Sequence, residues 1–245
     1  MKTSNYKQFT IHHFEELRST NDTAFLMAQN QEIFDFEIIL ANSQSSGKGR
    51  NERNWNSPNG NLYFSLVLKP NLEIAKIPQI SFVAIAALRI AIEKINIQNL
   101  EIKNKWPNDL LINQKKVAGL LLESKFSQNS CNFVIVGIGL NLISNPDNTI
   151  FPSSNLKDCG IAITKEKILE LFLDQFTEIY NNYLSYGFKG IRNLWLKEAY
   201  LLDKEIKAKN GSEEITGIFK DLDEEGNLLI EVSGVVRKIL AADIF

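Results

Sequence analysis

Wound as a helix, the stretch Ile77–Ile95 shows apolar side chains on nearly every face, with Ser81, Arg89, Glu93 and Lys94 as its polar interruptions. A helix without a solvated face must be covered on all sides, and these interruptions predict a buried core helix rather than a bilayer span. Such a helix needs a sheet to lie on and more chain around it, and 245 residues supply both. The composition, 44% hydrophobic and 23% charged, is that of a soluble globular protein. A formal net charge of −2 gives no long-range field for nucleic acid, so any cationic site has to be local.

Strand signals surround that helix. Ile38-Ile39-Leu40, within Glu37–Asn42, form a continuous apolar run, as in a strand covered on both faces. Further strands are expected at Asn61–Lys69, ended by Pro70, and at Ile102–Lys105. Others follow at Leu110–Ile112 and Val117–Lys125, around a tight turn, and at Asn132–Asn141. Ser19-Thr20-Asn21-Asp22, dense in capping residues, opens a helix running to Gln29. Thr164 caps another to Phe188, with Ile168, Leu171, Phe172, Phe176, Ile179, Tyr180 and Tyr183 on its core face. A shorter helix covers Ile191–Tyr200.

Beyond Leu202 the pattern changes. Glu205–Lys209, Ile215–Asp221, Leu228–Glu231 and Val235–Leu240 read as short alternating strands, with turns at Asn210-Gly211, Glu225-Gly226-Asn227 and Ser233-Gly234. That regularity predicts a small β-barrel of about five strands. The fold class is therefore α+β, with a mixed-sheet domain over residues 1–200 and a small β-barrel domain over residues 201–245.

Several chemistries are disfavoured. Met1–Thr10 is polar, without the apolar stretch of a targeting segment, and Cys131 and Cys159 have neither metal-site nor disulfide-framework spacing. A cytoplasmic protein with reduced thiols is the expectation. His12 and His13, the sole histidines, argue against a multi-histidine metal site and against a serine–histidine or cysteine–histidine nucleophile. Gly137-Ile138-Gly139 is not a dinucleotide fingerprint, because the third glycine would fall on Leu142 and no amphipathic helix follows. Gly47-Lys48 lacks the earlier glycine and the following hydroxyl of a Walker loop. Glycines within a strand suggest instead that a ligand or a neighbouring element approaches the backbone closely.

Gln44–Trp55 joins two strands and holds Gly47, Lys48, Gly49, Arg50, Arg53 and an indole against one acid, Glu52. Taken alone, it is either a basic surface turn or a site for a small anion with something flat to stack on Trp55. Ser19-Thr20-Asn21 is either a helix cap or a hydroxyl and amide cluster able to grip a polar ligand. Joined with the lysines, Asn141 and one rigidly presented carboxylate, Asp109, these pieces suit two anionic substrates held together. A carboxylate attacking a nucleotide α-phosphate and expelling pyrophosphate has those requirements.

In their order and spacing, five motifs resemble those of biotin–protein ligases. They are Ser19-Thr20-Asn21; Gln44 with Gly47-Lys48-Gly49-Arg50-x-x-Arg53-x-Trp55; Lys105-Trp106-Pro107-Asn108-Asp109; Lys116-x-x-Gly119 with Glu123; and Gly137-x-Gly139-x-Asn141. The resemblance runs from near Glu15 to the end of the chain. It implies a mixed sheet of the biotin/lipoate ligase type with packed helices, and an SH3-like C-terminal barrel. It also implies ATP-dependent activation of biotin to biotinyl-5′-AMP with release of pyrophosphate. Transfer to a lysine of a biotin carboxyl carrier protein or domain follows.

By the same resemblance Ser19, Thr20, Asn21 and Gln44 hold the ureido head of biotin, and Lys48, Gly49, Arg50, Lys116 and Gly119 line the rest of it. Arg53, Trp55, Asn108, Lys116 and Asn141 serve ATP. Arg50, Lys105, Asp109 and Lys116 form the catalytic set, with Asp109 accepting the proton of the carrier lysine. Mg²⁺ is expected to ride on the phosphates, and no protein ligand to it is assigned. No membrane is implied, and both monomer and homodimer are compatible. The loop departs from the family in one place: Gly-Lys-Gly-Arg stands where Gly-Arg-Gly-Arg is common. Residue 48 is then expected to act through its backbone, since lysine has no planar fork.

Three neighbouring readings fit less well. A lipoate or octanoate ligase would carry Arg-Arg-x-x-Gly-Gly-Gly and a following His-Asp. A biotin-responsive repressor would need a helix-turn-helix ahead of Ser19, where 18 residues are too few, so no operator binding is expected. A module that merely sequesters biotin would not need Arg50, Asp109 and Lys116.

Overall fold

An eight-stranded mixed sheet buries the apolar strand runs. In the computed structural model, which describes residues 2–95, 98–127, 130–147, 149–210 and 213–245, it begins with β1 (Lys2–Tyr6), β2 (Phe9–Leu17), β3 (Glu37–Gln44) and β4 (Leu62–Leu68). It continues with β5 (Ile102–Lys105), β6 (Asp109–Ile112), β7 (Lys115–Ser127) and β8 (Ser130–Leu140), in the spatial order β1-β2-β3-β4-β8-β7-β6-β5. Adjacent strands run antiparallel except β2 and β3, which α1 (Thr20–Gln29) joins as a parallel crossover.

Side-chain alternation gives this sheet two different faces. Leu62, Phe64, Leu66 and Leu68 of β4 and Val134, Val136, Ile138 and Leu140 of β8 enter the main core. They pack there with α2 (Gln79–Glu93), α3 (Lys165–Tyr186) and α4 (Phe188–Leu196). Ile39, Val67, Phe133 and Ile135 point the other way, onto Ala24 and Ala28 of α1. Nearly every residue of α2 is buried. By length and composition alone Ile74–Glu93 would pass for a membrane span, so its polar interruptions discriminate less than expected; the layers around it make it a core helix. The aromatic face of α3 is core as well, with Phe172, Phe176, Tyr180 and Tyr183 ring against ring. The hairpin β1–β2 carries no clear sequence pattern, because β1 is an exposed edge strand.

The C-terminal strands are β9 (Glu205–Asn210), β10 (Glu213–Leu222), β11 (Leu228–Val232), β12 (Val235–Ile239) and β13 (Asp243–Ile244). They form an antiparallel sheet in the order β12-β11-β10-β9-β13. β12 and β13 stand at its two edges, and among the described residues no ladder joins them into a closed barrel. Gly211 of the expected Asn210-Gly211 turn lies outside the described residues. Phe219, Leu222, Leu228, Ile230 and Ile244 belong to the same core as α2 and β4. Trp106 Nε1 donates to the Gly226 carbonyl at 3.1 Å, and Gln79 Nε2 to that of Glu224 at 2.7 Å. Gly226 adopts φ +87°, and a Cβ there would lie 2.5 Å from Phe82, so only glycine suits this contact. The small sheet is thereby seated on the large one, with β13 beside the ligand cleft.

Candidate active site

On the α1 side of the large sheet the strand positions change from apolar to small or polar. Ser65 follows the parity of Val67; Gly137 and Gly139 follow that of Ile135. The missing bulk leaves a cleft of about 370 Å³ next to the N-terminus of α1. All the site residues expected from sequence line it, in two clusters with Trp55 between them.

The first cluster is polar and self-contained. Ser19 caps α1, accepting from the Asp22 backbone N–H at 3.3 Å. Gln44 Oε1 accepts from the backbone N–H of Thr20 at 2.7 Å, and Gln44 Nε2 donates to Ser57 Oγ at 2.8 Å. Asn21 lines the cleft with both ends of its amide engaged, Oδ1 by Ser65 Oγ at 2.6 Å and Nδ2 by Glu123 at 2.8 Å. A Cβ on Gly137 would lie 2.0 Å from Asn21 Oδ1, which explains this glycine in mid-strand.

The second cluster is cationic. Asp109, at the start of β6, sits 2.6 Å from Lys116 Nζ and 3.9 Å from Lys105 Nζ. Lys105 and Asp109 face each other across β5–β6, and Asp109 pairs with Gly119 across β6–β7, so neighbouring strands assemble the group. Burial holds the Lys105 ammonium below the usual lysine range, against the pull of Asp109 and with the push of Lys116. Burial likewise lowers Arg50, against the opposing attraction of Asp243 and Asp109. Arg50 Nη1 reaches Asn108 Oδ1 at 3.4 Å, while Asn108 Nδ2 is anchored on the Leu120 carbonyl. This cluster has more positive charge than its one central carboxylate can balance.

Trp55 lies across the directly paired Gly119 and Gly139. A Cβ on Gly139 would come within 2.4 Å of the indole nitrogen, and one on Gly119 within 2.9 Å of the ring. Lys116 Nζ stands 5.1 Å from the ring centroid, a cation–π contact. The indole N–H and Asn141 Oδ1 are buried without a hydrogen-bond partner among the described residues. Buried polar atoms are seldom left so, and both residues line the cleft, where a ligand can supply the partner.

The glycine-rich loop is folded as a small hairpin. Lys48 pairs with Asn54, Trp55 N–H donates to the Gly47 carbonyl at 2.8 Å, and Gly49 N–H to that of Arg53 at 2.7 Å. Asn51 and Glu52, both at positive φ, make its tip. A Cβ on Gly47 would strike Ser57 Oγ and the Trp55 carbonyl at 2.5 Å, so that glycine permits close packing. The Lys48 ammonium pairs with Asp22, and Arg53 with Asp243 of β13; each partner raises the cation's pKa through its hydrogen bond.

Sequence reading missed Phe151, Asp243 and Phe245, which also line the cleft; Lys105 Nζ lies 4.6 Å from the Phe151 ring and 6.0 Å from that of Phe245. No local pattern marks them, because chain folding alone brings them to the site. Among the described residues no group of three His, Cys, Asp or Glu side chains could hold a metal ion.

Known proteins share these features. Residues 14–141 match the Biotin/lipoate A/B protein ligase family and residues 201–245 the Biotin protein ligase C terminal domain. The biotin–acetyl-CoA-carboxylase ligase of Paracoccus denitrificans is 38% identical over 233 residues, covering 93% of this chain and 96% of that protein. The bifunctional ligase/repressor BirA of Bacillus subtilis is 33% identical over 253 residues, covering 100% of this chain and 76% of that protein. The solved structure of the biotin protein ligase from Aquifex aeolicus in complex with biotin and ATP aligns with a TM-score of 0.81 at 26% identity, covering 96% of this chain and 97% of that one. With two family models matched and a relative 38% identical aligned over 96% of its length, the chain belongs to the biotin protein ligases of the biotin/lipoate A/B protein ligase family.

Proposed function

We propose that the cleft runs a two-step acyl transfer: biotin is activated with ATP, then passed to a lysine of a biotin carboxyl carrier protein or domain. Membership of the family makes the chain an ATP-dependent biotin–protein ligase. The observation that carries the mechanism is the cluster of Lys105, Lys116 and Arg50 around the carboxylate Asp109. Buried and half-buried cations in excess of their partners are poised for an anionic ligand, and their attraction is strongest where negative charge develops.

In the first step a biotin carboxylate oxygen attacks the α-phosphorus. A phosphorus–oxygen bond forms, the α–β bridge breaks, and pyrophosphate leaves with the electron pair. Lys116 and Lys105 stabilise the α-phosphate charge, and Arg50 retains the adenylate. Mg²⁺ would be held by the ATP phosphates and would add charge neutralisation there, with no protein ligand assigned to it. In the second step the neutral amine of the carrier lysine attacks the acyl carbon, AMP departs, and Asp109 takes the amine's proton. Asp109 is paired at 2.6 Å with Lys116, and its carboxylate is freed for the carrier amine when that ammonium turns to the phosphate, which would order the two steps.

The ureido head belongs with Ser19, Thr20 and Gln44, with Asn21 supporting them, beneath the hairpin of Lys48 and Gly49. Adenosine triphosphate belongs with Arg53, Trp55, Asn108 and Asn141, where unpartnered polar atoms support the reading. Gly119 leaves room for Trp55 and ligand together. A change of sheet and a separate family match support a catalytic domain over residues 1–200 and a small C-terminal β domain over residues 201–245, which we read as SH3-like. The net charge of −2 gives no field for duplex DNA, so the activity is ligation without operator binding, in the ATP-rich cytoplasm, by a monomer or homodimer.

The test is to incubate the protein with biotin and MgATP, assay biotinyl-AMP and pyrophosphate, then add a carrier domain and weigh it. A gain of one biotin on the carrier is expected. Adenylate formed from lipoate or octanoate, and none from biotin, would overturn the reading.

A further inference from the structure

The buried strand β4 has one side-chain hydroxyl turned away from the main core that joins the pocket network directly, Ser65, which is fully buried. It lies opposite Gly137 on β8, and the Asn21 amide rests on that bare glycine. On one side of the amide are Glu123 Oε2 at 2.8 Å and the Leu121 carbonyl at 3.4 Å. A carboxylate and a carbonyl accept hydrogen bonds, so the NH₂ must face them and Oδ1 must face Ser65. Ser65 then has to spend its single proton on Asn21 Oδ1, at 2.6 Å.

That commitment propagates. Ser65 Oγ is also 2.9 Å from Thr20 Oγ1, a contact that now holds only with Thr20 donating. Gln44 Oε1 does not miss that proton, because the Thr20 backbone N–H serves it at 2.7 Å. At the far end Ser57 Oγ donates to the Trp55 carbonyl at 2.9 Å and so accepts from Gln44 Nε2 at 2.8 Å. The network thus ends on acceptors at both sides. Its lone pairs at Thr20 Oγ1, one N–H of Gln44 and the proton of Ser19 are left for the cleft, an acceptor beside two donors.

We propose that Glu123 and Ser65, which stand behind the pocket wall, are positioning residues that fix this donor–acceptor polarity and so select a cyclic urea. The inference rests on the proposed assignment of the polar cluster to the ureido head. Thr20 accepts from a ureido N–H, while Gln44 and Ser19 donate to the ureido oxygen. Ser65→Ala breaks the chain, and Glu123→Gln removes the lock, since an amide can present either end to Asn21.

Calorimetric titration of the full chain with biotin and with 2-iminobiotin, which carries N–H where biotin has the ureido oxygen, tests this. Unaltered protein should bind biotin more tightly. Ser65→Ala should weaken biotin about tenfold while leaving 2-iminobiotin within about threefold, so that selectivity falls. Glu123→Gln, at a partly exposed position, should move the ratio the same way by a smaller factor. The double variant should lose no more than Ser65→Ala alone, because both act through one amide. Equal weakening of both ligands, or additive losses, would overturn the proposal while biotin binding by the unaltered protein stands. Failure of the unaltered protein to bind biotin would remove the ureido assignment and the proposal with it.

Discussion

The two clusters of the cleft solve opposite problems. Around Thr20, Asn21, Gln44 and Ser65, protein groups meet one another's hydrogen-bonding needs and the pocket exists before a ligand arrives. Around Lys105, Lys116 and Arg50, cations are gathered with too little negative charge, and burial lowers the pKa of Lys105 and Arg50 against the attraction of nearby carboxylates. A satisfied network gains specificity, because a mismatched ligand leaves buried polar atoms unpaired. An unbalanced charge cluster gains affinity for anions and transition-state stabilisation, at some cost to the empty protein.

Substitutions sharpen that contrast. The largest effect is expected for Lys116→Ala, which should slow biotinyl-AMP formation by about 100-fold while biotin affinity changes little; single-turnover kinetics beside calorimetry checks it. Equal loss of both would move Lys116 to plain binding.

Lys105→Met should disable adenylation yet raise the stability of the ligand-free protein by about 1 kcal/mol, roughly 2–4 °C in Tm. The sign follows from the lowered pKa. Below its folded pKa, Lys105 bears the full penalty of a buried charge. As pH rises through that pKa toward the ordinary lysine value, the folded state sheds its proton first and the penalty fades. The Tm advantage of the variant should therefore shrink in alkaline buffer. A Tm lower than that of the unaltered protein at neutral pH would contradict the frustrated-cation picture.

Asp243→Asn removes the carboxylate that competes for Arg53 across the two sheets. That pair is partly exposed, so the effect should be modest: KM for ATP lower by roughly twofold to fivefold, seen in initial rates. Lys48→Ala should matter least. Its ammonium is held by Asp22 and half-exposed, so biotin affinity should shift by less than about threefold in a titration. A larger loss would mean that the Gly-Lys-Gly-Arg departure acts through its charge.

Sequence and structure agree where the signal is local. The capping run at Ser19–Asp22, the strand before Trp106-Pro107 and the tight turn at Asn113-Gln114, both at positive φ, lie where the residues predict them. The mid-strand glycines were legible as sites of close approach, though not the partners: Asn21 comes to rest on Gly137, and Trp55 on Gly119 and Gly139. What stayed hidden depends on distant contacts. Asp243 is 190 residues from Arg53, and nothing near it in the chain marks it. A lone serine in the apolar run Leu62–Leu68 was visible, but its meaning needs Gly137 opposite and Asn21 above. The hairpin of β1 escaped because an exposed edge strand has no buried face to leave a pattern.

The contrast between the two clusters is tested most directly by their response to salt. Uncharged biotinamide, which keeps the ureido head, and MgATP should be titrated separately against the protein from about 50 to about 500 mM salt, a range that shortens the screening length more than twofold. Biotinamide affinity should stay level while MgATP affinity falls about tenfold or more. Parallel slopes, or MgATP binding indifferent to salt, would contradict a polar cluster preformed for the head and a cationic one waiting for an anion.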